Sequence, residues 1–157
     1  MRISLQSFMR TGVLGEIRIG MTPAEVLELT GAPERGDITL QDERRSAWTF
    51  GDIWIGFNVF AKEPRVCNSI EWIPDAPEIS VPTRFELVDW DLRADVAIDE
   101  VLTMLNLQGI RFRRDSFPSS LCERIVLSSG LQIVFMNERL NSFGIFKFDS
   151  SVTVPNV

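Results

Sequence analysis

Four acidic residues between positions 89 and 100 have the spacing of a calcium-binding loop. Asp89, Asp91, Asp95 and Glu100 occupy the first, third, seventh and twelfth positions of an EF-hand pattern. The pattern fails because Arg93 places a cation at a ligand position and Ala94 replaces the glycine of the sharp turn. We therefore expect no metal site here. An acid at Asp95 or Asp99 is better interpreted as a charge that complements the dipole of the helix that follows.

The side chains that most enzymes use for acid–base and nucleophilic chemistry are scarce. The chain contains no His and no Tyr, which excludes Ser–His and Cys–His pairs. No phosphate-binding glycine loop, C-x-x-C pair or G-x-S-x-G motif occurs. Cys67 and Cys122 are far apart in sequence, and we expect both to be free thiols. We expect no enzymatic activity and no cofactor.

The negative charge of the chain is concentrated in one segment. The whole chain has 22 acidic and 16 basic residues, a net charge of -6. Residues 75–100 hold eight of those acids and two of the bases, so this segment alone accounts for the net charge. Such a segment repels nucleic acid and attracts basic proteins. The alternative is that it is a solvated linker and helix start.

The residues around position 22 predict the start of a helix. Thr22 is a suitable N-cap, Pro23 suits the first helical position, and Glu25 completes a capping box. Gly31 can adopt a left-handed C-cap. Each of these residues has a structural role, so we interpret the segment as scaffold and not as an anion-binding site.

Other helices and strands are predicted in a repeating order. A short helix is expected between Ser4 and Gly12, and an apolar stripe predicts another within residues 95–109. Strand patterns follow the helices in each half. We predict an α+β fold, a tandem duplication of a helix-helix unit with an antiparallel sheet of three to four strands. The expected boundaries are a first unit at 1–73, a linker at 74–83, a second unit at 84–150 and a tail at 151–157.

One predicted strand carries a tryptophan on its polar face. In the stretch DIWIGFNV, Ile53, Ile55 and Phe57 alternate with a set that contains Asp52 and Trp54. Because side chains of a strand alternate between its two faces, Trp54 is expected on the face away from the core. A tryptophan on such a face suits binding to another protein. The alternative is that Trp54 packs under a loop or against the other half.

The segment GMTPAEVLELTGAP, residues 20–33, resembles the G-M-T-x-x-E-V-x-x-L-x-G-x-P signature of small bacterial α+β modules. These modules include the BamE lipoprotein and the β-lactamase inhibitory protein, a tandem duplication of such a unit. The stretch MRTGVLGEIRIGM is similar to the start of many uncharacterised cytoplasmic bacterial proteins, among which immunity proteins are suspected. The chain lacks a lipobox cysteine and a signal peptide, so we expect neither the envelope role nor the secreted role.

The charge and the resemblance together favour a protein-binding inhibitor, specifically a cytoplasmic immunity protein that neutralises a basic toxin domain. The predicted partner-binding residues are Trp54, Asp89, Trp90, Asp91, Asp95 and Asp99. The tryptophans would be apolar anchors, and the acids would steer and pair with the partner. We expect no binding to nucleic acid or membrane. The alternative is a small-molecule-binding or regulatory module with a pocket between the two units.

Overall fold

The structure of the protein, a computed structural model, contains both helices and strands. It describes residues 1–36, 38, 46–58, 65–73, 80–90, 92–116 and 122–147. The helices are α1 (Leu5–Thr11), α2 (Pro23–Thr30) and α3 (Ile98–Leu107). The strands are β1 (Arg2–Ser4), β2 (Ala47–Phe50), β3 (Ile53–Phe57), β4 (Cys67–Trp72), β5 (Glu86–Val88), β6 (Phe112–Ser116), β7 (Cys122–Leu127), β8 (Gln132–Met136) and β9 (Arg139–Phe146).

A large antiparallel sheet is the centre of the fold. Within the described residues it has seven strands in the order β2-β3-β4-β9-β8-β7-β6. The last strand of the first half, β4, pairs with the last strand of the second half, β9, so both halves contribute to one sheet. A separate parallel pair joins β1 to β5. Buried residues of the strands and helices form one core cluster, which places the helices on one face of the sheet. The fold is therefore α+β.

Capping begins the two helices of the first half as the sequence predicts. The Thr22 side chain accepts a hydrogen bond from the backbone N–H of Glu25 at 3.3 Å, and Glu25 accepts from the backbone N–H of Thr22 at 2.7 Å. This second bond lowers the pKa of the Glu25 carboxyl. Ser4 caps α1, and Gly12 ends it in the left-handed conformation. Gly31 differs from the prediction, because its φ of 67° is combined with a ψ of -170° outside the left-handed helical region.

The two halves differ in their helices. The described part of 84–150 contains one helix, α3, whereas 1–73 contains α1 and α2. The expected pair of helices is therefore found only in the first half. The stretch between β5 and α3 buries Leu92 and Val96 in the core. Residues 89–90 and 92–97 form no helix, and a connection of this length between β5 and α3 is typical of a loop.

The hairpin of β2 and β3 confirms the predicted alternation with one correction. Ile53, Ile55 and Phe57 are buried, as expected. Asp52 was expected on the polar face but is only 7% exposed. Its carboxylate accepts a hydrogen bond from the backbone N–H of Ser80 at 2.8 Å. The Asp52 side chain thus connects the β2–β3 turn to the segment that precedes β5, and it does not face solvent.

Candidate functional site

Trp54 is the large aromatic side chain that the sheet leaves accessible. It lies on β3 between the buried residues Ile53 and Ile55, and 39% of it is exposed. The other three tryptophans are buried or half-buried. Because its two neighbours face the helices, Trp54 faces the opposite side of the sheet, which we call the outer face. The prediction that Trp54 lies away from the core is confirmed.

The strand register places a defined set of residues around Trp54. Trp54 is opposite Thr49 on β2 and Glu71 on β4. Glu71 is opposite Gly144 on β9, which in turn is opposite Gln132 on β8. These five residues form part of one row on the outer face, which the register extends through Val126 on β7 to Arg113 on β6, and we call the five the Trp54 row. Adjacent members of such a row are close enough for their side chains to interact.

Glu71 is the charged member of this row. Its side chain is half-buried, and burial raises the pKa of its carboxyl above the ordinary value of 4.5, an effect that a hydrogen bond from Ser69 partly offsets. A Cβ placed on Gly144 would lie 3.0 Å from Cγ of Glu71 and 2.5 Å from the carbonyl oxygen of Ile70. Glycine is therefore needed at 144, and the stem of Glu71 lies across it. Among the described residues, Glu71 is in no salt bridge.

The far end of the outer face carries one acid and two arginines that interact with one another. Asp115 on β6 is 3.1 Å from Arg124 on β7 and 3.5 Å from Arg113. Arg124 also donates to the side-chain oxygen of Gln132 at 3.2 Å. Because these groups already interact, their charges are not directed towards Trp54. The Trp54 row is thus bounded on this side by a polar network.

Asp89, a predicted partner-binding residue, has a contact within the chain. Its two carboxylate oxygens accept hydrogen bonds from the backbone N–H of Leu5 at 2.8 Å and from the Ser4 hydroxyl at 2.9 Å. Leu5 is the first residue of α1, so its N–H has no partner inside the helix. Asp89 therefore caps α1 from the other half of the chain, beside the β1–β5 pair.

Trp90 also contributes to the interior. The ring is half-buried, and its indole N–H donates to the carbonyl oxygen of Ile3 at 3.1 Å. Its ring centroid is 6.2 Å from that of Trp72 and 5.5 Å from that of Phe143. These contacts join the second half to β1 and the main sheet. Trp90 is therefore a structural residue more than an exposed anchor.

The remaining acids of the predicted site lie in another part of the fold. Asp99 is exposed in the first turn of α3, and the exposed Asp95 precedes that helix, 3.5 Å from Arg93. Asp91 lies outside the described residues. Since α3 belongs to the helix layer, Asp95 and Asp99 do not share a face with Trp54. The structure does not bring the predicted partner-binding residues together on one surface.

Sequence reasoning missed Glu71, although its strand contains a signal. The stretch SIEW alternates between Ser69 and Glu71 on one side and Ile70 and Trp72 on the other, with the second pair more buried. This alternation predicts Glu71 on the outer face. Its position opposite Trp54 follows only from the pairing of β3 with β4.

Besides a depression of about 420 Å³ at β6 and β7, two others outside the Trp54 row have volumes that suit small ligands. One, of about 500 Å³, lies along α3 and includes Leu107, which is 83% exposed. The other, of about 400 Å³, includes Ser4 and Ser7 from the first half and Val88 and Asp89 from the second. In the described ranges, no three acidic or thiol side chains are grouped so that they could hold a metal ion.

Comparisons with known proteins do not assign this chain to a family. No protein-family model, curated protein or solved structure matches this chain. The resemblance of residues 20–33 to the BamE-like modules thus stays a prediction. None of the described helices has the length and apolar character needed to cross a bilayer.

Proposed function

We propose that this chain is a protein-binding inhibitor, an immunity protein that neutralises a basic toxin domain by binding it with the outer face of the sheet. The observation that carries the proposal is Trp54, 39% exposed in the middle of a strand whose neighbouring side chains are buried. Tryptophan is among the residues most enriched at the energetic centres of protein interfaces. A position within a sheet gives it the rigid support that such an anchor needs.

The acidic residues have two separate roles in this proposal. Asp89 and Trp90 maintain the fold through their contacts with β1 and α1. Asp95 and Asp99 remain exposed, so they contribute with the net charge of -6 to the attraction of a basic partner. Such attraction accelerates association at low salt more than it strengthens the final complex. A cytoplasmic location is part of the same proposal.

The proposed architecture is a tandem duplication that has diverged. Each half begins with a short strand, β1 or β5, and these two strands pair in parallel. In each half a helix, α2 or α3, precedes a run of antiparallel strands. The halves differ because α1 has no counterpart in the described part of the second half. Asp89 and Trp90, which contact β1, stand in the part of the second half where that helix would be.

Affinity capture from the native host at low salt tests the proposal. The tagged chain is compared with Trp54→Ala and with a control, Leu107→Ser, which alters an exposed apolar side chain on α3. We expect a basic protein to bind to the wild type and to the control, and to be lost with Trp54→Ala. Retention of that protein by Trp54→Ala, or no captured partner in any host condition, contradicts the proposed function.

The alternative function, a small-molecule-binding module, is supported by the depression between Ser4 and Val88. A thermal-shift screen of metabolites distinguishes it, since a ligand that binds only the folded state raises the melting temperature. A shift that is abolished by Ser7→Leu, a change in the lining of that depression, would favour this alternative. Trp54→Ala is the matched control, because it leaves the depression intact.

A further inference from the structure

The Trp54 row combines an aromatic ring with a carboxylate on neighbouring strands. Trp54 and Glu71 are directly opposite in the register of β3 and β4, and both lie on the outer face. We propose that Trp54 and Glu71 form a binding site for one arginine side chain, whose guanidinium lies against the indole ring and hydrogen-bonds to the carboxylate. This inference rests on the proposed function, because the arginine is taken to belong to the basic partner protein.

The chemistry of both residues favours a guanidinium group. The face of an indole ring attracts cations within about 6 Å, and Trp is the most effective aromatic residue in this interaction. The two oxygens of a carboxylate match the planar N–H groups of arginine. Side chains opposite one another across antiparallel strands have Cβ atoms about 5 Å apart. One guanidinium can therefore contact both Trp54 and Glu71.

The charges of the outer face make this site complementary to a cation. Arg113 and Arg124 are both within ion-pair distance of Asp115, so these three groups are paired with one another and leave a net charge of +1 on β6 and β7. In the described part of the chain, Glu71 has no salt bridge, and no cation lies over the Trp54 ring. A partner's arginine would supply the missing positive charge. A phosphate group would be repelled by the same carboxylate.

Burial increases the effect of the Glu71 charge. The Glu71 stem lies across Gly144, with its Cγ 3.0 Å from the position of a Cβ on that residue. Half-buried beside a tryptophan, the carboxylate is less screened by water than an acid such as Asp95, whose side chain is 60% exposed. A cation that binds here therefore has a more favourable electrostatic energy than one that binds to the acids of the helix layer. This difference selects the sheet face as the site of the arginine contact.

A titration with a small probe tests the site without any protein partner. The probe is N-acetyl-arginine methylamide, and the control is the citrulline analogue, which has a similar shape and no charge. The indole ¹H–¹⁵N signal of Trp54 is followed and is assigned with the Trp54→Phe variant. We expect a saturable shift with the arginine probe and none with citrulline. Glu71→Gln should weaken binding about tenfold, as for the loss of one charge-assisted hydrogen bond. Asp95→Asn should leave it unchanged.

The outcomes separate this inference from the proposed function. No saturation by about 100 mM probe, equal shifts with citrulline, or unchanged affinity in Glu71→Gln each overturns the arginine site. If a captured protein partner then still depends on Trp54, the proposed function stands without it. If the arginine probe binds as expected but no protein partner depends on Trp54, the site for a guanidinium group stands and the inhibitor function is wrong.

Discussion

Replacement of Asp89 should destabilise the fold, although the residue is exposed and lies in an acidic segment. Its carboxylate accepts hydrogen bonds from Leu5 N–H and the Ser4 hydroxyl, and each is worth about 1 kcal/mol of unfolding free energy. The φ of 53° at Asp89 increases the loss of stability further, because Asp and Asn tolerate positive φ better than Ala. We expect Asp89→Ala to cost about 2 kcal/mol or more. In a chain of this size that lowers the melting temperature by about 6 °C.

Urea unfolding monitored by tryptophan fluorescence measures the effect. Asp89→Asn keeps one acceptor oxygen and the tolerance of positive φ, so its cost should be about half that of the alanine change. Asp95→Ala is the matched control, since its contact with Arg93 joins side chains that are 62% and 60% exposed. Its cost should stay within about 0.5 kcal/mol. Equal and small losses at both positions would refute the assignment of Asp89 as the cap of α1 and would return it to the predicted partner-binding set.

Further predictions follow from burial and backbone conformation elsewhere. Glu71→Gln should be more stable than the wild type at neutral pH, because the raised pKa of Glu71 means that the folded state favours its neutral form. This gain should shrink as the pH falls through that pKa and vanish below about pH 4, so unfolding curves across pH check it. Cys67, whose pKa burial raises to about 12, should react with a thiol reagent at pH 8 only after unfolding; reaction in the folded state, with the other cysteine replaced by serine, would contradict this. Gly51→Ala should lower the unfolding free energy by well over the roughly 1 kcal/mol expected for Gly20→Ala. Gly51 has a φ of +62°, and a Cβ there would lie only 2.1 Å from the carbonyl oxygen of Ser80, whereas a Cβ at Gly20 would meet nothing within 4 Å. Unfolding free energies of the two variants provide the comparison.

Features that depend on near neighbours in sequence were predictable. The cap of α2 needs only Thr22 and Glu25, three positions apart, and both hydrogen bonds are present. The short helix after Ser4 and the outward position of Trp54 also follow from local patterns. Such signals work because capping and strand alternation are fixed by the geometry of a few adjacent residues. They determine whether a segment is a helix or a strand, but they do not determine which other helix or strand it packs against.

The roles of Asp89 and Trp90 could not be predicted in this way. Both depend on the parallel pairing of β1 with β5, which joins the start of the chain to its second half. Two strands of three residues each carry almost no sequence signal of their own. Without that pairing, an acid beside other acids is interpreted as a solvated face. The same limit applies to the second half, where the expected helix is replaced by a stretch that contacts β1.

The charge distribution in sequence and the charge distribution in space therefore lead to different interfaces. In sequence, residues 75–100 are the acidic segment, but Asp89 caps a helix, and Asp95 and Asp99 belong to the helix layer. On the opposite face, Glu71 is the single charged residue of its strand, yet it lies half-buried and directly opposite Trp54. A charge that is less screened and adjacent to an aromatic anchor contributes more to a bound complex than several exposed charges do. In the proposed complex, the exposed acids would affect the rate of association with a basic partner, and the Trp54 row would determine the rate of dissociation.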